Sequence, residues 1–268
     1  MNKHDFKKLI KHDGKRLFRP MPWREPRPDG SFDAYRILVS ELMLQQTQVP
    51  RVIPKFISFL NDFPSLQALA AAPLAEVLRA WSGLGYNRRA KYLHEAAKTL
   101  QDVPEPWTYE QLVACKGIGP NTAKAVLVYA YDQPEVFIET NIRTVFIHYF
   151  FQDKLTVSDA EITAVLERTL DRELPRACYW ALMDIGAYIK SAEGNASRKS
   201  TAYKKQSPFE GSMRQVRGRV LKLLADGIPK TMQQLSMQDD ERTKAVLASL
   251  QNEGLIHKKS GKYHLGNV

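Results

Sequence analysis

Residues 112–131, LVACKGIGPNTAKAVLVYAY, constrain the fold more than any other stretch of this chain. Just ahead of them, Thr108 and Gln111 form a T-x-x-Q capping box that starts a helix. Lys116-Gly117-Ile118-Gly119 is too glycine-rich to continue it, because glycine tolerates the positive φ that a tight reversal needs. Pro120 sits where a first helical turn accepts proline. Ala123, Val126, Leu127 and Ala130 then repeat at helical spacing. The stretch predicts two helices joined so closely that backbone N–H groups and a helix N-terminus point outward together. Such a spot attracts phosphate. An ordinary pair of helices with a glycine turn fits these residues equally well.

The chain has 268 residues, enough for two or three domains, and 44% of them are hydrophobic, as in a globular protein. No apolar run reaches the ~18 residues of a membrane span. The first residues, MNKHDFKKLIKHDGKRLF, are charged throughout and lack the apolar centre of a signal peptide. Cys115 and Cys178 lie in apolar helical sequence and fit unpaired thiols in a reducing compartment. The formal charge of +10 suits a polyanionic partner, most simply nucleic acid. The chain is expected to be a cytoplasmic monomer, associated with the nucleoid when bound to double-stranded DNA and with no membrane partner.

Three segments carry a family resemblance. KGIGPNTA is similar to the hairpin of the helix-hairpin-helix DNA glycosylases. SELMLQQTQV, residues 40–49, resembles the glutamate segment of the MutY-type adenine glycosylases, and WSGLGYNRRA, residues 81–90, resembles their W-x-G-L-G-Y-Y-x-R-A segment. With Pro22-Trp23-Arg24 the resemblance covers roughly residues 20–190. It implies a mainly α fold of two helical subdomains, with residues 1–30 and 141–210 in one and 31–140, including the hairpin, in a six-helix other. Residues 211–268 form a separate small module. The activity implied is base-excision removal of a mispaired or damaged base from duplex DNA carrying a lesion or mismatch. Adenine opposite guanine or 8-oxoguanine is the leading substrate. Removal of thymine or uracil mispaired with guanine, and catalytically inactive lesion binding or regulation, are the alternatives.

Residue by residue, residues 35–44 read as a helix that is apolar almost all round, hence buried, with Glu41 in its middle. An acid against such a face is expected to have a raised pKa, which suits a general acid; a structural glutamate paired with an arginine is the alternative. The resemblance makes Glu41 the catalytic acid. It places Gln45, Gln46 and Thr47 towards the lesion and the opposite strand, with Tyr86 and Trp23 near the extruded base. Trp23 as a lid over the core is an equal reading. Asn87, Arg88 and Arg89 offer an amide and two cations to DNA. The family has a second tyrosine at the position of Asn87, used to stack beside oxidised guanine, and an amide cannot stack in that way. Lys116, Gly117, Gly119, Asn121 and Thr122 of the hairpin, and Arg143 beyond it, are the expected phosphate-facing residues, with Lys124 beside them.

Glu139 stands where the family has an aspartate that stabilises the cationic sugar, and Asn141 follows it. The extra methylene extends its reach by about 1.5 Å. Asn121 replaces the lysine with which the lyase branch, resembling endonuclease III, forms a Schiff base. Base removal without strand cleavage is therefore expected. Most MutY-type proteins hold a [4Fe–4S] cluster with four cysteines after the closing helix. Here residues 190–206, KSAEGNASRKSTAYKKQ, contain none and read as a basic linker lying along DNA. No cluster and no other metal are expected; the resemblance leaves room only for a monovalent cation at the hairpin. In the last module three helical patterns, around Val216–Leu224, Thr231–Leu235 and Glu241–Glu253, precede a hairpin from Leu255 to Leu265. That is the order of a winged helix. Lys258 and Lys259 would face DNA, and a protein-binding module is the alternative. The 8-oxoguanine-sensing domain usual in the MutY type has no counterpart in the sequence.

Overall fold

The computed structural model describes residues 1–236 and 240–267. It divides into two compact units, the first made of residues 1–37, 106–113 and 119–205 and the second of 38–105, 114–118 and 206–268. The division differs from the expected one at 30, 140 and 210. The hairpin helices belong largely with the terminal segments, because α8 packs on α11. The last module groups with residues 38–105 instead of standing apart. Residues 237–239 and 268 of that expected module lie outside the described residues.

In the first unit α1 (Lys3–Arg16) starts at Asn2, whose side chain accepts the Asp5 N–H. Phe6 and Ile10 are buried beneath it, and Phe6 meets Phe146 at 5.3 Å and Phe150 at 4.9 Å between ring centres. Phe18 lies past the end of the helix and is 48% exposed. The hairpin helices are α7 (Tyr109–Ala114) and α8 (Pro120–Tyr131). The capping box forms as expected: the Gln111 N–H donates to Thr108 Oγ1 (3.3 Å) and the Thr108 N–H to Gln111 Oε1 (2.9 Å). Ala123, Val126, Leu127 and Ala130 are all buried. Then come α9 (Thr140–Phe150), α10 (Asp159–Thr169) and α11 (Pro175–Ala192), with α1 and α9 both packed on α11. Phe137 stacks on Tyr179 at 4.3 Å, and aromatic pairs of this kind add about 0.5–1.5 kcal/mol beyond their buried area.

Residues beyond α11 are not a bare linker. Residues 196–199 form a 3-10 turn packed on α9, with Ser197 and Ser200 buried. The Val157 N–H donates to the Lys199 carbonyl (2.9 Å) and the Thr201 N–H to the Val157 carbonyl (3.0 Å), which fixes the segment.

The helix α2 (Ala34–Leu44) leads into the second unit, its start capped where the Arg36 N–H donates to Asp33 Oδ1 (3.1 Å). Four helices follow: α3 (Val49–Asp62), α4 (Leu66–Ala71), α5 (Leu74–Ala80) and α6 (Arg88–Leu100). Phe56, Phe59, Trp81 and Leu93 are fully buried among them. The C-terminal part contains α12 (Met213–Leu224), α13 (Met232–Ser236), α14 (Asp240–Asn252) and a hairpin of β1 (Ile256–Lys259) and β2 (Lys262–Leu265), paired Ile256 to Leu265 through Lys259 to Lys262. Its two-residue turn, Ser260-Gly261, takes positive φ at both positions (50° and 77°), the geometry that suits twisted strands.

Candidate active site

In the first unit the Glu139 region is held by three side chains from other elements and by Asn141 of the helix that Glu139 caps. The Tyr179 hydroxyl accepts the Phe137 N–H (3.1 Å) and donates to the Glu135 carbonyl (3.0 Å). Asn121 Nδ2 donates to the Ile138 carbonyl (3.0 Å), so the residue at the lyase-lysine position holds the backbone next to Glu139. Lys124 Nζ donates to the Val136 carbonyl (3.1 Å) and pairs with Glu135 at 3.6 Å. It is a structural cation, not the phosphate contact expected. Asn141 Nδ2 donates to the Met183 carbonyl (3.1 Å). Gly186 lets α11 approach there, since a Cβ at that position would overlap the Asn141 carbonyl.

Glu139 is the cap residue of α9, in extended backbone. Burial of its carboxyl raises its pKa above the usual glutamate value, and the charge of Arg143 opposes the rise. Arg143 itself is committed elsewhere. It donates through Nε to Asp159 Oδ1 (2.7 Å) and through Nη2 to Asp159 Oδ2 (2.6 Å), and this hydrogen bonding holds Asp159 below the usual aspartate range. The DNA-facing role expected of Arg143 meets a half-buried guanidinium already paired with an acid from α10.

Trp23 is buried, on a 3-10 turn (Pro22–Arg24). Next to it lies a cluster that the sequence reading missed. Asp184, 1% exposed, accepts from Arg24 Nη1 (2.7 Å) and Nη2 (3.1 Å), from Arg19 Nε (2.7 Å) and from the Arg19 N–H (3.2 Å). The signal was present in the sequence as two arginines flanking the Pro-Trp motif and one acid inside the otherwise apolar closing helix. Their separation of about 160 residues hid the pairing.

In the second unit Glu41 lies on α2 between the fully buried Leu38 and Leu42. It is half-buried, so the apolar helix leaves its acid partly open to solvent. Arg89 is the main correction. It is 7% exposed and donates through Nη1 to the carbonyls of Leu42 (2.5 Å), Met43 (3.0 Å) and Gln45 (2.6 Å), and through Nη2 to Thr47 Oγ1 (3.2 Å) and the Gly85 carbonyl (3.1 Å). It closes the carboxyl end of α2, whose last carbonyls lack helical partners, and leaves nothing for a phosphate. Burial pushes its guanidinium down to about 10.

Asn87 is 8% exposed and inside the fold, whereas Tyr86 beside it is 40% exposed. Gln46 is exposed, and both Gln46 and Tyr86 hold positive φ (55° and 46°) without being glycine. Such backbone clusters at functional sites. Gln206 Nε2 donates to Gln46 Oε1 and to the Tyr86 hydroxyl, both at 2.9 Å. Arg88 is exposed but donates to both oxygens of Glu253 (3.2 and 3.0 Å), which also receives both Nη groups of Arg217. Lys91 Nζ donates to the Glu253 carbonyl (2.7 Å). Burial would raise Glu253, but the hydrogen bonds from Arg217 and Arg88 outweigh it and hold the acid below its usual value.

At the hairpin turn Lys116 is exposed, 5.8 Å from the centre of the Tyr92 ring. Gly117 (φ +87°) has no room for a Cβ beside that ring. Gly119 caps α8, and Gly119 and Asn121 are exposed while Thr122 is half-exposed. Lys258 and Lys259 are exposed on β1, with Lys258 Nζ 5.3 Å from the Tyr263 ring centre.

The residues do not fit the iron–sulfur cluster that the family resemblance raises. A four-thiolate site cannot be built from two cysteines. Burial pushes both thiols up, Cys178 to about 11, the opposite of a ligating thiolate. Among the described residues no group of three or more His, Cys, Asp or Glu side chains could hold a metal ion, and no helix is long and apolar enough to cross a membrane.

Comparison with known proteins adds the kinship. Residues 39–170 match the model of the HhH-GPD superfamily base excision DNA repair protein. An adenine DNA glycosylase of Mycolicibacterium smegmatis is 34% identical over 273 residues, covering 92% of this chain and 91% of that protein. One of Mycobacterium tuberculosis (strain CDC 1551 / Oshkosh) is 33% identical over 271 residues, covering 90% and 86%. Among solved structures, a thermostable thymine-DNA glycosylase superposes with a TM-score of 0.62 at 21% identity, over 74% of this chain and 91% of that one. A non-covalent endonuclease III–DNA complex gives 0.58 at 17%, over 72% and 89%. These structures share the fold, and the chain belongs to the HhH-GPD superfamily of base excision DNA repair proteins, with adenine DNA glycosylases among its relatives.

Proposed function

We propose that the chain is a monofunctional adenine DNA glycosylase that flips adenine from duplex DNA, opposite guanine or 8-oxoguanine, and hydrolyses its glycosidic bond. The observation that carries this is its 34% identity to a protein named adenine DNA glycosylase over 91% of that protein's length. The thymine or uracil reading and the inactive one have no support among the curated relatives compared above, both named for adenine. Glu41 donates a proton to the adenine ring, the C1′–N9 bond breaks with its electron pair going to the base, and the sugar is left cationic. Glu139 faces that charge, water adds at C1′ and loses a proton. Burial, which raises the pKa of Glu139, disfavours its charged form in the free protein, and a cationic sugar beside it restores that form. A desolvated carboxyl gains most when a cation forms beside it, so its interaction is stronger in the transition state than before.

Asn121 has no nucleophilic amine, so the product is an abasic site and not a nicked strand. No step needs a metal, and the protein is read as a monomer working without a cluster. The C-terminal helices and hairpin are read as a winged-helix module with Lys258 and Lys259 towards phosphate. A panel of duplexes carrying single A:G, A:8-oxoguanine, T:G or U:G pairs, with and without alkali, tests the reading. Alkali-dependent cleavage at adenine is expected. Cleavage only at thymine or uracil, nicking without alkali, or no cleavage of any duplex refutes it.

A further inference from the structure

The first unit also holds a groove unrelated to the residues above. It runs between α1 and the start of α11 and encloses about 700 Å³, within the size range of ligand and peptide sites. Its floor is small and apolar: Ile10, Gly14, Ala177, Cys178 and Ala181. Two of its lining residues, Phe18 and Leu174, are 48% and 59% exposed. Large apolar side chains left in water beside a cleft mark a contact surface. One wall is cationic. Lys7, Lys8, Lys11 and Lys15 line it with His4, and Asp171 is the one acid among the lining residues. Among the described residues none of those four lysines forms an ion pair, whereas Asp13 on the same helix is taken by Arg16 and His12. Lys7 to Lys15 spans eight residues, about 12 Å of helix at 1.5 Å per residue.

We infer that this groove docks an acidic segment of a partner protein, an amphipathic peptide whose apolar side chains enter the floor and whose carboxylates meet the lysine wall. Charge complementarity sets the sign of the partner, since four unpaired ammonium groups beside one acid select carboxylates and repel a basic segment. The apolar floor separates a peptide from DNA. A phosphate backbone is satisfied by cations and N–H donors and gains nothing from Leu174, Phe18 or an apolar floor, whereas a helix laid in a groove needs such anchoring pockets at i, i+3 or i+4, and i+7. The length agrees, because a peptide helix of three to four turns lies along the stretch from His4 to Phe18.

The test uses the full chain and fluorescence anisotropy of a fluorescein-labelled, Glu-rich helical peptide with Leu and Phe at i, i+4 and i+7. A peptide of equal charge with alanine at those anchors is the control. The parent should bind the anchored peptide at least about tenfold more tightly than the control, a difference of about 1.4 kcal/mol. The paired change Lys7→Glu with Lys11→Glu, and separately Leu174→Asp, should each weaken binding about tenfold while excision of adenine stays within twofold. Ala177→Trp, which fills the exposed floor, guards against a folding defect in either. Equal binding of anchored and control peptides reduces the groove to a patch of charge and overturns the inference. So does absence of binding, or displacement of the peptide by duplex DNA together with lost excision in the lysine variant, which would make the wall a DNA contact.

Discussion

Asp184 offers the clearest quantitative test of the structure. Its carboxylate is 1% exposed and receives four hydrogen bonds, three from guanidinium nitrogens of Arg24 and Arg19 and one from the Arg19 N–H. Asp184→Ala would strand Arg24, itself 7% exposed, without a counter-charge. Removing one partner of a buried pair costs about 3–5 kcal/mol. Arg19 is half-exposed and can turn to water, so the cost falls on Arg24. For domains of this size each kcal/mol lowers Tm by about 2–4 °C, which gives a drop of about 6–20 °C. Thermal unfolding followed by circular dichroism measures it. The double change Arg24→Met with Asp184→Leu removes both charges and should recover most of the loss, because apolar replacement of a buried pair is often neutral or stabilising. A single variant melting within about 2 °C of the parent, or a double variant no better than the single, refutes the account.

Three further outcomes are expected. Glu41→Gln should bind adenine-mismatch DNA as the parent does but lose at least about 100-fold in single-turnover excision, and a loss of only a few-fold would make Glu41 structural. A carboxyl raised by burial binds its proton more tightly folded than unfolded, so Glu139 costs the parent stability as pH climbs above the ordinary glutamate value of 4.5. Glu139→Gln should therefore match the parent in acid and exceed it at neutral pH in urea unfolding, and an unchanged pH dependence would mean that the carboxyl is not desolvated. Replacing Lys258 and Lys259 by alanine should lower the slope of log K against log salt by about 0.9 for each phosphate that the module ceases to neutralise, and an unaltered slope would favour protein binding by the module.

Local chemistry was legible in the sequence where the partners lie within a few residues. The Thr108–Gln111 cap, the glycine turn, the buried face of α8 and the Ser260-Gly261 hairpin all formed as read. What escaped was the direction of polar side chains whose partners are far away. Arg88 and Arg89 look alike in sequence, yet one pairs at the surface with Glu253 and the other closes a helix end more than forty residues earlier. Arg143 was read as a DNA contact because Asp159, on the next helix, could not be assigned to it. The half-burial of Glu41 escaped for a related reason. Periodicity tells which face of a helix is apolar but not how completely neighbours cover one residue on it.

Glu253 joins the C-terminal module to α6, through Arg88 and Lys91, from inside a single chain. Tethering keeps the two surfaces at an effective concentration in the millimolar range, so contacts too weak to hold separate proteins together suffice here. The Arg88 contact is ionic and partly exposed, and salt screens it over about 10 Å at 0.1 M. Raising ionic strength therefore acts on the protein as well as on any complex. A salt titration of DNA binding reports counterion release from DNA together with loosening of this latch. Repeating it with Glu253→Gln separates the two, because that variant lacks the charge pair with Arg88 and keeps only the Lys91 bond to the backbone carbonyl.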